Sequence, residues 1–258
     1  MAGSKYRQIA DELRAAIAAG TFPAGAQLPA EPDLMAQYRV SRGTVRLALA
    51  ELANAGLVTP EPGRGTFVRE HAVLDYRAAR AERADRSSTS EADAYMSEVQ
   101  AAGRTPRQTF AMRIEPAADE VSARLRIDEA ALVVVRHCMQ YVDDQPWSDQ
   151  YSYYPMPVAE RAGLNVPYDL PQGTIRAMAD AGMTEAGHLD NITARMPTPE
   201  ETRSLDIGTG VPVLVYVRVA YTIQEPVRLT KTVFPADRNR LVYELGDLSI
   251  LDLALTPS

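Results

Sequence analysis

The amino-acid sequence predicts an α+β protein in two parts: three short helices closed by a small β-hairpin, then an antiparallel sheet with helices between its strands. Three observations carry that reading. Apolar residues recur at helical spacing as far as Gly56. From about residue 94 they recur at every second position in long runs. At 258 residues the chain exceeds the usual size of one domain, so each part is long enough to bury its own core.

In the first part, Tyr6, Ile9, Leu13 and Ile17 form one stripe of a helix ending at Gly20, followed by Phe22 and Pro23 in a connection. Leu34, Met35 and Tyr38 in AEPDLMAQY predict a short second helix that stops before Val40. Ser41 stands where an N-cap belongs, and Val45, Leu49 and Leu52 carry a third helix to Gly56, a suitable C′ residue. Two short apolar runs, Leu57 to Thr59 and Thr66 to Val68, then flank a Pro- and Gly-rich turn that exposes Arg64.

Residues 71–93 alternate charges and end in small polar residues, so they read as a tether between a first domain over 1–70 and a second over 94–250, with a tail over 251–258. In the second domain RQTFAMRIEP is a strand and ADEVSARLRI a short helix with Val121 and Leu125 inward. One hairpin turns at Asp143 to Pro146 and another near Gln224 to Pro226. Between them QGTIRAMADAG is helical, and TPEE from Thr198 to Glu201 is a capping box with proline at the first helical position, opening a helix to about Leu205.

Composition narrows the class. The single cysteine, Cys138, excludes an internal disulfide and suits a reducing compartment. Lys5, Asp11, Glu12 and Arg14 interrupt the apolar pattern at the amino terminus, and no run elsewhere is apolar enough to span a bilayer, so a cytoplasmic protein with no membrane partner is expected. The net charge of −7 is uneven: residues 1–70 hold 8 basic and 7 acidic side chains, the remainder 19 and 27.

Against that acidic background the stretch VSRGTVR, residues 40–46, is a compact basic patch. With Val45, Leu49 and Leu52 inward, Arg42 and Arg46 share the solvent face at the amino end of helix three. In a helix-turn-helix this is the end that enters the major groove, where the arginine fork grips guanine O6 and N7. Ser41 and Thr44 suit phosphate, Gly43 lets the backbone come close, and Arg64 on its Gly-flanked turn suits an adjacent minor groove. Two arginines four apart are by themselves more often a solvated face, so the context decides.

That context resembles the GntR family of bacterial transcription repressors. The resemblance rests on GTFPAG from Gly20, QLPAE from Gln27, YRVSRGTVR from Tyr38, ALAELANAGL from Ala48 and PGRGTFV from Pro62 to Val68, and it covers roughly residues 5–70. It implies a winged helix-turn-helix, with DNA contact by Ser41, Arg42, Thr44 and Arg46 on the recognition helix and by Gly63, Arg64 and Gly65 in the wing. Lys5, Tyr6 and Arg7 lie where members of the family often touch phosphate. Many members carry arginine after the Glu of the Leu-Pro-[Ser/Ala]-Glu motif; Pro32 stands there in this chain, which implies fewer base contacts from helix two.

The second part resembles the UTRA effector-binding domain of the HutC-type branch, through Leu125 to Ile127, Val133 to Arg136, Pro146 to Pro155, SLDIGTGVPVLVYVR from Ser204 to Arg218 and KTVFPADR from Lys231 to Arg238. The implied fold is related to chorismate lyase, with a pocket between sheet and helices. By strand alternation Arg136, Cys138 and Gln140 share one face, as do Ser148, Gln150, Ser152 and Tyr154. Sugar-phosphate-sensing relatives carry a second arginine where Cys138 stands and a glutamate where Gln150 stands; the lost cation argues here against a phosphate clamp, and the lost carboxylate against a sugar polyol or an amine. Tyr151, Tyr153, Tyr154 and Trp147 would suit an aromatic effector, with Arg136, Arg228 or Lys231 available to a carboxylate. Tyr151 and Tyr153 cannot share a pocket with Gln150 and Ser152 unless a bulge intervenes, and strand tyrosines are more often ordinary sheet packing.

The residues show no catalytic constellation, metal-ligand spacing or cofactor loop: His71, His137 and His188 are scattered and Cys138 has no base partner in sequence. The expectation is a homodimeric repressor that binds a palindromic operator and responds to a small molecule. A constitutive repressor of the plasmid-maintenance type, with a purely dimerising second domain, and a lyase-like enzyme stand as alternatives.

Overall fold

The computed structural model of the protein describes residues 4–70, 73–77 and 99–243. In chain order its elements are α1 (Lys5–Ala18), α2 (Glu31–Tyr38), α3 (Arg42–Asn54), β1 (Val58–Glu61), β2 (Gly65–Val68), β3 (Leu74–Arg77), β4 (Pro106–Pro116) and α4 (Asp119–Leu125). They continue as β5 (Leu132–Val142), β6 (Gln145–Pro155), α5 (Met156–Ala162), α6 (Thr174–Asp180), β7 (Gly187–Arg195), α7 (Pro199–Ser204), β8 (Val213–Tyr221), β9 (Pro226–Pro235) and β10 (Asn239–Val242). The chain forms two compact units, one of Met1–Val73, Ala194–Val213 and Pro235–Arg238, the other of Leu74–Thr193, Leu214–Phe234 and Asn239–Ser258.

In the first unit the helical stripes meet as their spacing requires. Ile9 and Leu13 from α1, Leu34 from α2, and Val45, Leu49 and Leu52 from α3 close one core with Val58 and Val68 of the hairpin. Each such side chain contributes roughly 1.5–3 kcal/mol of burial. Helix α1 ends two residues short of the expected Gly20, since Ala19 already leaves the helix as its C-cap. Arg39 in the left-handed region (φ 52°) closes α2 and turns the chain towards α3. Ser41 caps α3 by accepting a 3.3 Å hydrogen bond from the Thr44 N–H. Strands β1 and β2 pair from Val58 opposite Val68 to Glu61 opposite Gly65, so β1 begins a residue later and runs two residues further than expected. Gln27 donates to the Arg64 carbonyl at 2.7 Å and so braces the hairpin turn; Gly65, at φ +124°, leaves room for that side chain.

The same unit also includes Ala194–Val213 and Pro235–Arg238. Thr198 forms the expected capping box with Glu201 and opens α7. Beyond α7 the Gly210 N–H donates to the Asn54 carbonyl at 2.9 Å. A Cβ on Gly208 would stand 2.2 Å from that same oxygen, so only glycine fits there.

The second unit is built on a six-stranded sheet in the order β4-β5-β6-β9-β8-β7. Strands β5 and β6 are joined by Asp143 and Asp144, both at positive φ (48° and 63°), a two-residue turn whose twist matches the strands it joins. Helices α5 and α6 cover one face, burying Val158, Ala159, Ala177 and Met178 against Val134, Tyr154 and Val227. Val121 and Leu125 of α4 are buried as their spacing predicts.

Four elements were not foreseen: α5, β7, β3 and its partner β10. Helix α5 follows Tyr154 and Pro155 without a polar break. Strand β7 is an edge strand whose exposed positions do not alternate cleanly with apolar ones. Strand β3 lies inside the segment read as a tether, yet it pairs in parallel with β10, Leu74 opposite Asn239, and Tyr76 packs on Phe234 with ring centroids 4.9 Å apart. The rest of that segment from residue 78, together with residues 71–72 and the tail at 251–258, lies outside the described residues.

Candidate nucleic-acid interface and ligand cavity

The amino end of α3 gathers five of the sequence-selected residues. Ser41 and Thr44 face each other across the cap with their hydroxyl oxygens 2.9 Å apart. Arg42 and Arg46 project into solvent, their side chains 68% and 67% exposed. Both reach Glu31 at the start of α2: Nε of Arg42 donates to Oε2 at 2.5 Å and Nε of Arg46 to Oε1 at 3.2 Å. The hydrogen bond from Arg42 is the main reason the Glu31 carboxyl is held below the usual carboxylate range. The two forks are thus splayed from one carboxylate, an arrangement the sequence reading missed because Glu31 lies eleven residues away on another helix. Exposed ion pairs of this kind are worth about 0.2–1 kcal/mol, so a phosphate or a base edge can displace them.

Gly43 sits inside the first turn of α3, and the nearest atom a Cβ would meet is Ser41 Oγ at 3.8 Å. Nothing among the described residues therefore demands glycine at this helical position. The hairpin turn carries Gly63, Arg64 and Gly65; Arg64 is 73% exposed, pairs with Glu61 and lies 5.3 Å over the Phe67 ring. At the start of α1, Arg7 Nε donates to the Tyr6 hydroxyl at 3.2 Å.

The second unit holds a cavity of about 660 Å³, counting its open mouth, between the sheet and the loop that leads into α6. Arg136, Cys138, Gln150, Ser152 and Arg228 line it. Tyr151, Tyr153 and Lys231 do not. The one register irregularity between β5 and β6 falls at Gln140 and Tyr141, so no bulge rotates the tyrosines inward. Tyr151 instead stacks on the His137 ring at 4.3 Å on the far face, where His137 Nε2 and Asp149 Oδ1 are 2.6 Å apart, and Lys231 stands opposite Tyr151 in the β6-β9 register.

The arginines that line the cavity are engaged, which corrects the expectation that they wait for a carboxylate. Arg136 is 4% exposed and donates to the Leu164 carbonyl at 3.0 Å, to the Tyr168 carbonyl at 3.2 Å and to Asp169 Oδ1 at 3.2 Å, while its guanidinium covers the Phe110 ring at 4.3 Å. It ties down the loop after α5. Arg228 is bidentate to Glu185, at 3.0 and 3.1 Å, and His188 Nε2 lies 2.7 Å from the same carboxylate. Burial by itself would raise the Glu185 carboxyl, but Arg228 and His188 outweigh it and hold the group at about 2.

Sequence reasoning also missed Gln108, Phe110, Asp169 and Thr174. Alternation along β4 could have found the first two; Asp169 comes from a loop tied to Arg136, and Thr174 opens α6 and is held by the Tyr154 hydroxyl. Burial pushes the Cys138 thiol up to about 12, and its Sγ lies 3.6 Å from Gln108 Oε1, so at neutral pH it is a protonated wall residue.

Comparison with known proteins divides the chain between residues 68 and 101. Residues 5–68 match the model of the bacterial regulatory proteins of the gntR family, and residues 101–240 match that of the UTRA domain. An HTH-type transcriptional regulator of Rhizobium meliloti (strain 1021) is 30% identical over 246 residues, covering 93% of this chain and 94% of that protein. The mannosyl-D-glycerate transport/metabolism system repressor MngR of Escherichia coli (strain K12) is 27% identical over 222 residues, 84% of this chain and 85% of its own. Among solved structures, PhnF from Mycobacterium smegmatis shares the fold at a TM-score of 0.55 and 20% identity, covering 94% of this chain and 99% of that one.

Proposed function

Because the chain belongs to the GntR family of bacterial regulatory proteins and carries a UTRA domain, it is a transcriptional regulator, and we propose that it acts in the cytoplasm as a homodimeric repressor whose affinity for a palindromic operator is set by a small molecule in the UTRA cavity. The observation that carries the DNA half is the amino end of α3: a Ser41 cap, two exposed arginines held apart by Glu31, and a glycine at position 43 that no packing among the described residues requires. A glycine in a helix costs about 0.5–1 kcal/mol against alanine. Close approach of a DNA backbone gives that cost a purpose.

In this reading Arg42 and Arg46 meet base edges, while Ser41, Thr44 and the free N–H groups of the first turn meet phosphate. Gly63, Arg64 and Gly65 take the wing into a minor groove, and Tyr6 with Arg7 touches backbone. The acidic remainder of the chain repels phosphate and restricts attraction to the basic patch. Cys138, Gln150, Ser152 and the engaged Arg136 and Arg228 line the effector site; Tyr151, Tyr153 and Lys231 drop out of it. That MngR is named a repressor supports the sign of regulation.

Fluorescence anisotropy with a palindromic duplex of GT and AC half-sites around a TA-containing centre, against a scrambled duplex at two salt concentrations, tests it. Preference for the palindrome that survives the higher salt is expected. Equal, steeply salt-dependent binding to both would mean charge attraction alone. The engaged arginines favour one rival, a constitutive repressor with a purely dimerising second domain; in that case no small molecule would alter operator affinity.

A further inference from the structure

We propose that the UTRA cavity selects an uncharged, hydroxyl-rich ligand, a small polyol or glycoside, and excludes phosphate esters and carboxylates. This rests on the cavity being the effector site. Its charges close on themselves: Arg136 with Asp169, and Arg228 with Glu185. The Asp169 carboxylate also accepts from Gln108 Nε2 at 3.0 Å and from the Leu170 N–H at 2.9 Å. An incoming anion would have to break a buried, bidentate pair to reach Arg228, or release the loop that Arg136 pins through the Leu164, Val166 and Tyr168 carbonyls and Asp169. The first leaves buried Glu185 without its arginine, and the second frees the loop after α5. A cation that took Glu185 would in turn leave Arg228 buried without its carboxylate.

What remains on offer is neutral. The Gln150 carboxamide has no side-chain partner among the described residues and lines the cavity. Gln140 spends its carbonyl oxygen on the Ser148 hydroxyl at 2.5 Å, so its NH₂ is left to donate. Thr174 accepts from the Tyr154 hydroxyl at 2.9 Å, which leaves its own O–H to donate. Neutral donors and acceptors therefore line the cavity beside the apolar side chains of Leu170 and Ile175, which restores the polyol that the missing glutamate had argued against. A ring that carries hydroxyls at its rim and C–H groups on its face matches both surfaces.

Two measurements on the full-length protein decide it. The first is thermal shift with uncharged mono- and disaccharides and alditols, each paired with its phosphate ester and its uronate or aldonate. At least one uncharged member raises the melting temperature, its charged counterparts do not, and Gln150→Leu weakens the binding about tenfold. A shift from charged members alone, or from none, overturns the proposal. The second needs no ligand: Arg136→Met lowers the melting temperature of the free protein because the guanidinium is a structural tie, and an unchanged or raised value, the signature of a residue held back for a ligand, overturns it equally. Operator affinity measured with the stabilising sugar separates this inference from the regulatory reading. Binding that leaves DNA affinity unchanged keeps the ligand class and removes the effector role; a charged stabiliser that alters DNA affinity does the reverse.

Discussion

Glu31 on α2 accepts a 2.5 Å hydrogen bond from Nε of Arg42 on α3, and its other oxygen takes Arg46 at 3.2 Å. One carboxylate thus holds both of the arginines proposed to meet base edges, and under that proposal it must yield them when DNA arrives. Glu31→Gln is therefore expected to raise affinity for all duplexes a few-fold, by about 0.2–1 kcal/mol, and to narrow the gap between operator and scrambled DNA in anisotropy titrations. A loss of affinity would mean that Glu31 positions the arginines instead of competing for them.

Arg42→Ala and Arg46→Ala should each cost about 1–3 kcal/mol of operator binding and relax preference at one base position, read by selection of bound sequences. Equal loss across all sequences would assign both to phosphate. Arg64→Ala should weaken binding with little change in major-groove preference.

Gly208→Ala should be among the most damaging small substitutions in the protein. Its Cβ would lie 2.2 Å from the Asn54 carbonyl oxygen and 2.7 Å from that of Ala53, both backbone atoms that cannot turn aside. Gly187→Ala, with nothing within 4 Å of its Cβ, is the control. The measurement is thermal melting: a shift several times larger for Gly208 is expected, and equal shifts would mean that the 204–212 loop moves freely off α3.

The Glu185 carboxyl, normally near 4.5, is held at about 2 in the folded protein. A depressed folded value means that its contribution is present above about pH 4.5 and is lost as the pH falls towards about 2. Wild type should thus lose stability over that window more steeply than Glu185→Gln, the two melting curves converging at the acid end. Parallel curves would place the acid sensitivity elsewhere.

With its thiol raised to about 12 by burial, Cys138 should resist iodoacetamide in the folded protein at pH 8, where only about one thiol in ten thousand is ionised, and react on unfolding. Rapid modification of the native protein would reopen the question of a nucleophile in the cavity.

Much of the DNA-binding half was legible because it is local. The stripe of Val45, Leu49 and Leu52, the Ser41 cap and the turn at Gly63 to Gly65 depend on neighbours within a few residues, and a 3.6-residue period assigns Arg42 and Arg46 to solvent without reference to anything distant. The cavity was legible only by halves. Alternation separates Gln150 and Ser152 from Tyr151 and Tyr153, but which face the helices cover is decided by α5 and α6, whose partners lie tens of residues away.

The sequence by itself determined the two-part α+β layout, the recognition helix with its exposed arginines, and the two sets of side chains on each strand of the β5-β6 hairpin, since periodicity and capping are short-range. Tertiary structure alone decided that Arg136 is spent on Leu164, Tyr168 and Asp169 and Arg228 on Glu185. It alone paired β3 with β10 and brought Gly208 and Gly210 onto the end of α3. The reason is common to all of these: a buried charge or an unpaired carbonyl must find a partner wherever the chain can bring one, and the sequence shows the need without showing which distant residue meets it.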